Sequence, residues 1–164
     1  MAFEEDGERI KDLELILKRV AYAATLFDED GYVSKHPSTT QPLIEFRSID
    51  IRFMNDDSTP LERLENVSTE DQVAQIIEGR VFQGLTPFGT RLRQKVIDGI
   101  VLHKLRQRRK PILVIGITDG RPKGEDESAL EETIKYAIKC KDALVLGTGA
   151  IAFQFAQVGN DQKG

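Results

Sequence analysis

The sequence predicts a three-layer α/β fold, and three observations carry that reading. Stretches with apolar residues at helical spacing alternate with short apolar runs of strand length. The run Ile112 to Ile117 is almost wholly apolar, as suits a parallel strand buried on both faces. Polar residues gather in the loops at strand ends, the arrangement of doubly wound sheets flanked by helices. With 164 residues, 40% of them hydrophobic, the chain can form one compact domain with its own core and is too short for two. A single domain over 1–164 is therefore expected.

The elements follow in order. From Arg9 to Phe27, Ile10, Leu13, Ile16, Leu17, Val20, Ala24 and Phe27 recur every three or four positions, which predicts a core-facing helix ending at a Gly31 cap. Residues 32–48 hold His36, Pro37 and Pro42, show neither period and read as loop. Ile49 to Asn55 alternates apolar with polar, as a half-buried strand does. Ser68 is the expected cap of the next helix, with Asp71 three residues on and Val73, Ile76 and Ile77 as its apolar face. After the Gly84 to Thr90 loop, helical spacing resumes through Leu92, Val96, Ile97, Ile100, Val101 and Leu105. Its cationic end, His103 to Lys110, offsets the negative end of the helix dipole. Pro111 opens the strand Ile112 to Ile117. Ser128 to Cys140 reads as a helix with Leu130, Ile134, Ala137 and Ile138 inward, and Ile151 to Val158 as the last strand.

Composition narrows the function. A net charge of −4 with both signs mixed argues against general affinity for nucleic acid phosphates. Cys140 is the only cysteine, so there is neither an intrachain disulfide nor a thiolate zinc cluster, and a reducing, cytoplasmic setting is expected. The acidic N-terminus and the lack of any long uncharged apolar run predict a soluble chain with no membrane association.

Two motifs carry chemistry. Gly84-Leu85-Thr86-Pro87-Phe88-Gly89-Thr90 sets a threonine on a glycine-framed loop before a helix. Ile117-Thr118-Asp119-Gly120-Arg121-Pro122 sets an aspartate at the carboxyl end of an apolar strand. With the ending Gln154 to Asp161, they make the chain resemble a von Willebrand factor type A (vWA) domain over about Arg9 to Asp161. It is most similar to intracellular fungal-type members, in which a helix leads through Asp-x-Asp-Gly into Ile-Asp-Ile-x-Phe-hydrophobic-Asn. Asp28 to Gly31 and Ile49 to Asn55 have those forms, separated by 32–48, which reads as a loop insertion or as an error in the gene model.

The resemblance implies a Rossmann-like sheet and a non-enzymatic protein-interaction module. It also implies a metal-ion-dependent adhesion site, in which Mg2+ or Mn2+ is held by oxygen ligands and completed by a partner protein's acidic side chain. Metal contacts would fall on Thr86 and Asp119, and partner contacts on Gly84, Pro87, Gly120 and Arg121. The family's Asp-x-Ser-x-Ser triplet, at the end of its first central strand, has no counterpart here. The site would be partial and the cation weakly held or lost. The stop at Gly164, before the family's last helix and strand, reads as truncation. Direct pairing of the strand ending at Asn55 with Ile112 to Ile117, which would close the gap, is the alternative.

Two rival functions compete with this one. A metal-independent vWA scaffold would bind a partner through the same loops without a cation. A nucleotide-binding enzyme would use Gly147 to Ala152, because Ala143 to Ala152 imitates a strand–Gly-x-Gly–helix start, although the acid expected about 20 residues on has no room. Asp28-x-Asp30-Gly31 lacks the full calcium-loop pattern, and neither His36 nor His103 lies near a nucleophile motif.

Overall fold

The computed structural model describes residues 2–26, 48–108, 110–120 and 122–158. The expected Gly31 cap, the loop through residue 47, Arg121 and the ending after Val158 lie outside them. The chain divides into two compact units, Met1–Ile51 with Asp57–Val81, and Arg52–Asp56 with Phe82–Gly164.

In the first unit, helix α1 (Ala2–Leu26) begins ahead of its apolar stripe. Ala21 is fully buried, Leu13, Ile16, Leu17 and Val20 are half-buried, and Leu15 and Tyr22 stay exposed. Helix α2 (Glu70–Ile77) packs against it and buries the three predicted residues Val73, Ile76 and Ile77. Its cap is shifted from the expected position. Thr69, not Ser68, accepts from the Gln72 N–H at 3.2 Å, and the Gln72 side chain accepts back from the Thr69 N–H at 3.1 Å. Gln72 sits at the third helical position and closes the reciprocal pair that Asp71 was expected to close.

The segment from Ile49 is not a strand. Ile49 makes a single antiparallel bridge with Val67, and the Ile51 N–H donates to the Leu64 carbonyl at 2.8 Å. Ile51, Leu64 and Val67 are buried there. Residues Arg52 to Asp56 belong to the second unit, so the apolar alternation of 49–55 serves two different packing environments and not one sheet face. The alternative pairing of this segment with Ile112 to Ile117 does not occur among the described residues, where that strand's neighbour is the last strand.

The second unit is mixed α/β with a parallel two-stranded sheet. Strands β1 (Ile112–Thr118) and β2 (Ile151–Gln157) run in register from Ile112 beside Ile151 to Thr118 beside Gln157. Ile112, Val114 and Gly116 share a face with Ile151, Phe153 and Phe155, because side chains alternate along each strand. That face joins a core with Leu92, Ile97, Val101, Leu105, Ala137, Ala143 and Ala150. The other face carries Leu113, which is 57% exposed, with Ala152 and Gln154 also exposed. Burial on both faces, expected from the apolar run, is therefore not found among the described residues.

The helix after the Gly84 loop departs from α geometry. α3 (Phe88–Arg91) leads into a π-helical stretch, Leu92–Val101, followed by α4 (Leu102–Arg108). The Leu102 N–H donates to the Ile97 carbonyl, five residues back. The buried Leu92 and Ile97 are five positions apart, the i to i+5 step of π winding, while Ile97, Val101 and Leu105 follow at four, a spacing that an α-helix also sets on one face.

Helix α5 (Ala129–Lys139) turns Thr133 and Ala137 fully inward, while Ile138, expected inside, is 46% exposed. Helix α6 (Lys141–Leu146) ends at Gly147, whose φ of 87° suits a residue without a Cβ. The order is thus helix, Gly147-Thr148-Gly149 turn, then β2, the reverse of the strand–loop–helix start expected of a dinucleotide fold. The turn does not open a helix, so its glycines do not aim N–H groups at a phosphate. No helix among the described residues is long and apolar enough to cross a membrane.

Candidate functional site

Both loops singled out by sequence lie in the second unit, beside the carboxyl end of β1. The first is cradled by Asn55. Its side-chain amide donates to the carbonyls of Gln83 and Leu85, each at 2.9 Å, and so clamps the backbone on either side of Gly84. Gly84 has φ 110°, and a Cβ there would lie 2.9 Å from the Asn55 amide nitrogen. Conformation and space both require glycine at this position. Lys95, from the π-helical stretch, ties down the chain on both sides of Asn55, donating to the carbonyls of Phe53 at 2.7 Å and Asp56 at 2.8 Å.

Beyond Gly84 the chain turns at Thr86 and Pro87. The Thr86 carbonyl accepts from the Phe88 N–H at 2.8 Å and from the Lys123 N–H at 2.9 Å. The second bond joins the threonine loop directly to the loop that follows Asp119. Thr86 and Pro87 are half-buried.

Asp119 follows the last residue of β1. The Thr118 hydroxyl lies 3.0 Å from the Gly120 carbonyl and 3.3 Å from the Gly120 N–H, which folds the strand end into a compact turn and leaves Asp119 exposed at its tip. The Thr118 carbonyl accepts from Val158 at 2.9 Å, keeping the turn against the end of β2.

Glu125 completes the connection. Its Oε1 accepts from the Gly89 N–H at 2.8 Å and its Oε2 from the Thr90 N–H at 2.7 Å, two donors of the first helical turn that lack intrahelical partners. Beside it, Leu85 packs over Gly124, where a Cβ would come within 2.9 Å of the leucine Cδ1. Helix α5 seals the back of the site. Thr133, 3% exposed, donates to the Gly89 carbonyl at 2.9 Å, and Gly89 faces the Ala129–Leu130 backbone closely enough to exclude a Cβ. At the start of α5, the Asp126 carboxylate accepts from the Ser128 N–H at 2.9 Å and hydroxyl at 2.7 Å, and these bonds hold its pKa below the ordinary aspartate value.

Of the residues predicted to form the site, Gly84, Thr86 and Pro87 lie on one of the two joined loops and Asp119 and Gly120 on the other. Arg121 lies outside the described residues. Three contributors had not been anticipated. Asn55 was visible only as the end of an expected strand, Thr118 only as part of the Ile117 to Pro122 motif with no role of its own, and Glu125 carried no motif at all. His103, exposed on α4, lies 3.3 Å from the Gln107 amide, an ordinary pairing one helical turn apart.

The donor chemistry suits a hard cation in part. Thr86 and Asp119 offer a hydroxyl and a carboxylate, oxygen ligands of the type Mg2+ takes. Among the described residues no group of three or more His, Cys, Asp or Glu side chains gathers as a metal cluster. These two side chains alone do not make a closed cage. The chain matches no family model, no curated protein and no solved structure.

Proposed function

We propose that this chain is a non-enzymatic protein-interaction module of the vWA type, binding its partner at the carboxyl end of β1. In this reading β1 and β2 belong to a three-layer sheet, and Thr86 and Asp119 contribute to a weak divalent site that a partner's acidic side chain completes. In the same reading Gly84, Pro87 and Gly120 make partner contacts, and so does Arg121, which lies outside the described residues. The observation that carries the proposal is the Lys123 N–H to Thr86 carbonyl bond of 2.9 Å, which unites two loops that the sequence paired on motif alone. An intracellular setting and a protein partner belong to the same reading.

Thermal unfolding in chelator and again in excess Mg2+ or Mn2+ tests it, because a ligand that binds only the native state raises the midpoint. A cation at about ten times its dissociation constant adds about 1.4 kcal/mol, or about 3–6 °C for a chain of this length. Thr86→Ala or Asp119→Asn should remove the shift.

A cooperative transition with no cation shift would favour the second reading, a vWA scaffold whose loops bind a partner without metal. That no group of three or more His, Cys, Asp or Glu side chains gathers among the described residues is what supports that alternative.

A further inference from the structure

Acids near the start of a helix commonly come from the residues just before it or from its first turn. Here the acid comes from 35 and 36 positions further along the chain. Glu125 spends one oxygen on each of two consecutive amides, Gly89 and Thr90, at 2.8 and 2.7 Å. A carboxylate can do this because both its oxygens accept. A glutamine of the same shape has one oxygen and an NH2 group, which would face an N–H donor. Aspartate would be one methylene short of the same reach.

The contact closes a small ring of structure. Asp119 leads through Gly120 to Lys123, whose N–H holds the Thr86 carbonyl, and then to Glu125, whose carboxylate holds the turn just beyond Pro87. Gly124, with φ 86°, bends the chain between those two anchors and admits Leu85 against its backbone. The Thr86 loop and the Asp119 turn are thereby tied together by the segment that follows Asp119.

We infer that Glu125 is a positioning residue that fixes the Thr86 loop against the Asp119 turn and so preorganises the face that binds cation and partner. Its functional consequence rests on the interaction-module reading. The clasp itself is tested separately.

The test compares the wild-type chain with Glu125→Ala and Glu125→Gln. Amide hydrogen exchange followed by NMR reads the clasp, and the Mn2+-induced rise in melting midpoint reads the site. Glu125→Ala should speed exchange at Gly89 and Thr90 by roughly ten- to a hundredfold, the range expected for losing one charge-assisted bond at each. Exchange at Val101 and Leu105 in the core should stay slow, and the Mn2+ shift should fall. Glu125→Gln keeps the volume, serves if the alanine variant does not fold, and should free one of the two amides while reducing the shift. Unchanged exchange at both amides in the glutamine variant would overturn the clasp. Fast exchange with an undiminished Mn2+ shift would overturn its positioning role. If wild-type protein shows no Mn2+ shift, the metal reading fails, and exchange at Gly89 and Thr90 still decides whether Glu125 sets the loop.

Discussion

Replacing Gly89 with alanine sets two physical effects against each other, and the structure says which one wins. Gly89 lies in the first turn of a helix, where alanine is ordinarily favoured over glycine by about 1 kcal/mol. A Cβ at this position, however, would lie 2.5 Å from the Ala129 carbonyl carbon and 2.6 Å from the Leu130 Cα. These are backbone atoms of α5, so no rotamer change relieves the contact and the helices must separate. Overpacking of this kind costs about 1–3 kcal/mol. Separation also strains the buried Thr133 hydroxyl bond to the Gly89 carbonyl, worth about 1 kcal/mol. The expected net effect is a loss of about 2 kcal/mol, or a fall of about 4–8 °C in melting midpoint. Gly99→Ala is the control. Its Cβ would meet only the Gln94 carbonyl at 3.4 Å, so that variant should be neutral or up to about 1 kcal/mol more stable. Urea denaturation followed by circular dichroism reads both. If Gly89→Ala proves as stable as wild type, the close approach of α3 and α5 described here is wrong.

Two further predictions concern other parts of the molecule. Thr69→Ala removes the hydroxyl that caps α2 and should destabilise the chain by about 1 kcal/mol in urea denaturation, whereas Ser68→Ala should have little effect if the cap has been placed correctly. Asp126 titrates below the ordinary aspartate range because Ser128 donates to it, so the stabilisation from this contact is present above the unfolded-state pKa and is lost as pH falls through the lower folded one. Ser128→Ala should move the Asp126 carboxyl midpoint upward in a carbon-detected NMR titration, and an unmoved midpoint would reject that cause.

What could be read from sequence was what depends on near neighbours. The strand at Ile112 to Ile117, the inward triplet Val73, Ile76 and Ile77, and the glycine-framed loop before a helix are local patterns, and each forms the element its pattern implies, although β1 is not buried on both faces. The failures have a common origin in distance. Ile49 to Asn55 alternates as a strand would, but Ile51 is buried in one unit while Phe53 stacks edge-on with Phe82, ring centres 5.9 Å apart, in the other. The spacing through Leu92, Val96, Ile97, Ile100, Val101 and Leu105 reads as ordinary helical periodicity, yet Leu92–Val101 winds as a π-helix, a difference of one residue per hydrogen bond that the apolar pattern does not mark.

The site divides along the same line. Thr86 and Asp119 stood out because each belongs to a short motif. Glu125, Thr133 and Asn55 act across 28 to 44 positions, and no period or spacing rule reaches that far. Even the shifted cap of α2 turns on a side-chain choice, Gln72 over Asp71, that only the local geometry decides.

The most direct measurement of the central claim is a Mn2+ titration read by electron paramagnetic resonance, which counts free cation in the presence of the wild-type chain and of a Thr86→Ala, Asp119→Asn variant. The account predicts one weak site per wild-type chain, lost in the double variant and tightened when an acidic peptide is added as a partner's carboxylate. Equal free Mn2+ with both proteins at every concentration would contradict a cation site at the carboxyl end of β1.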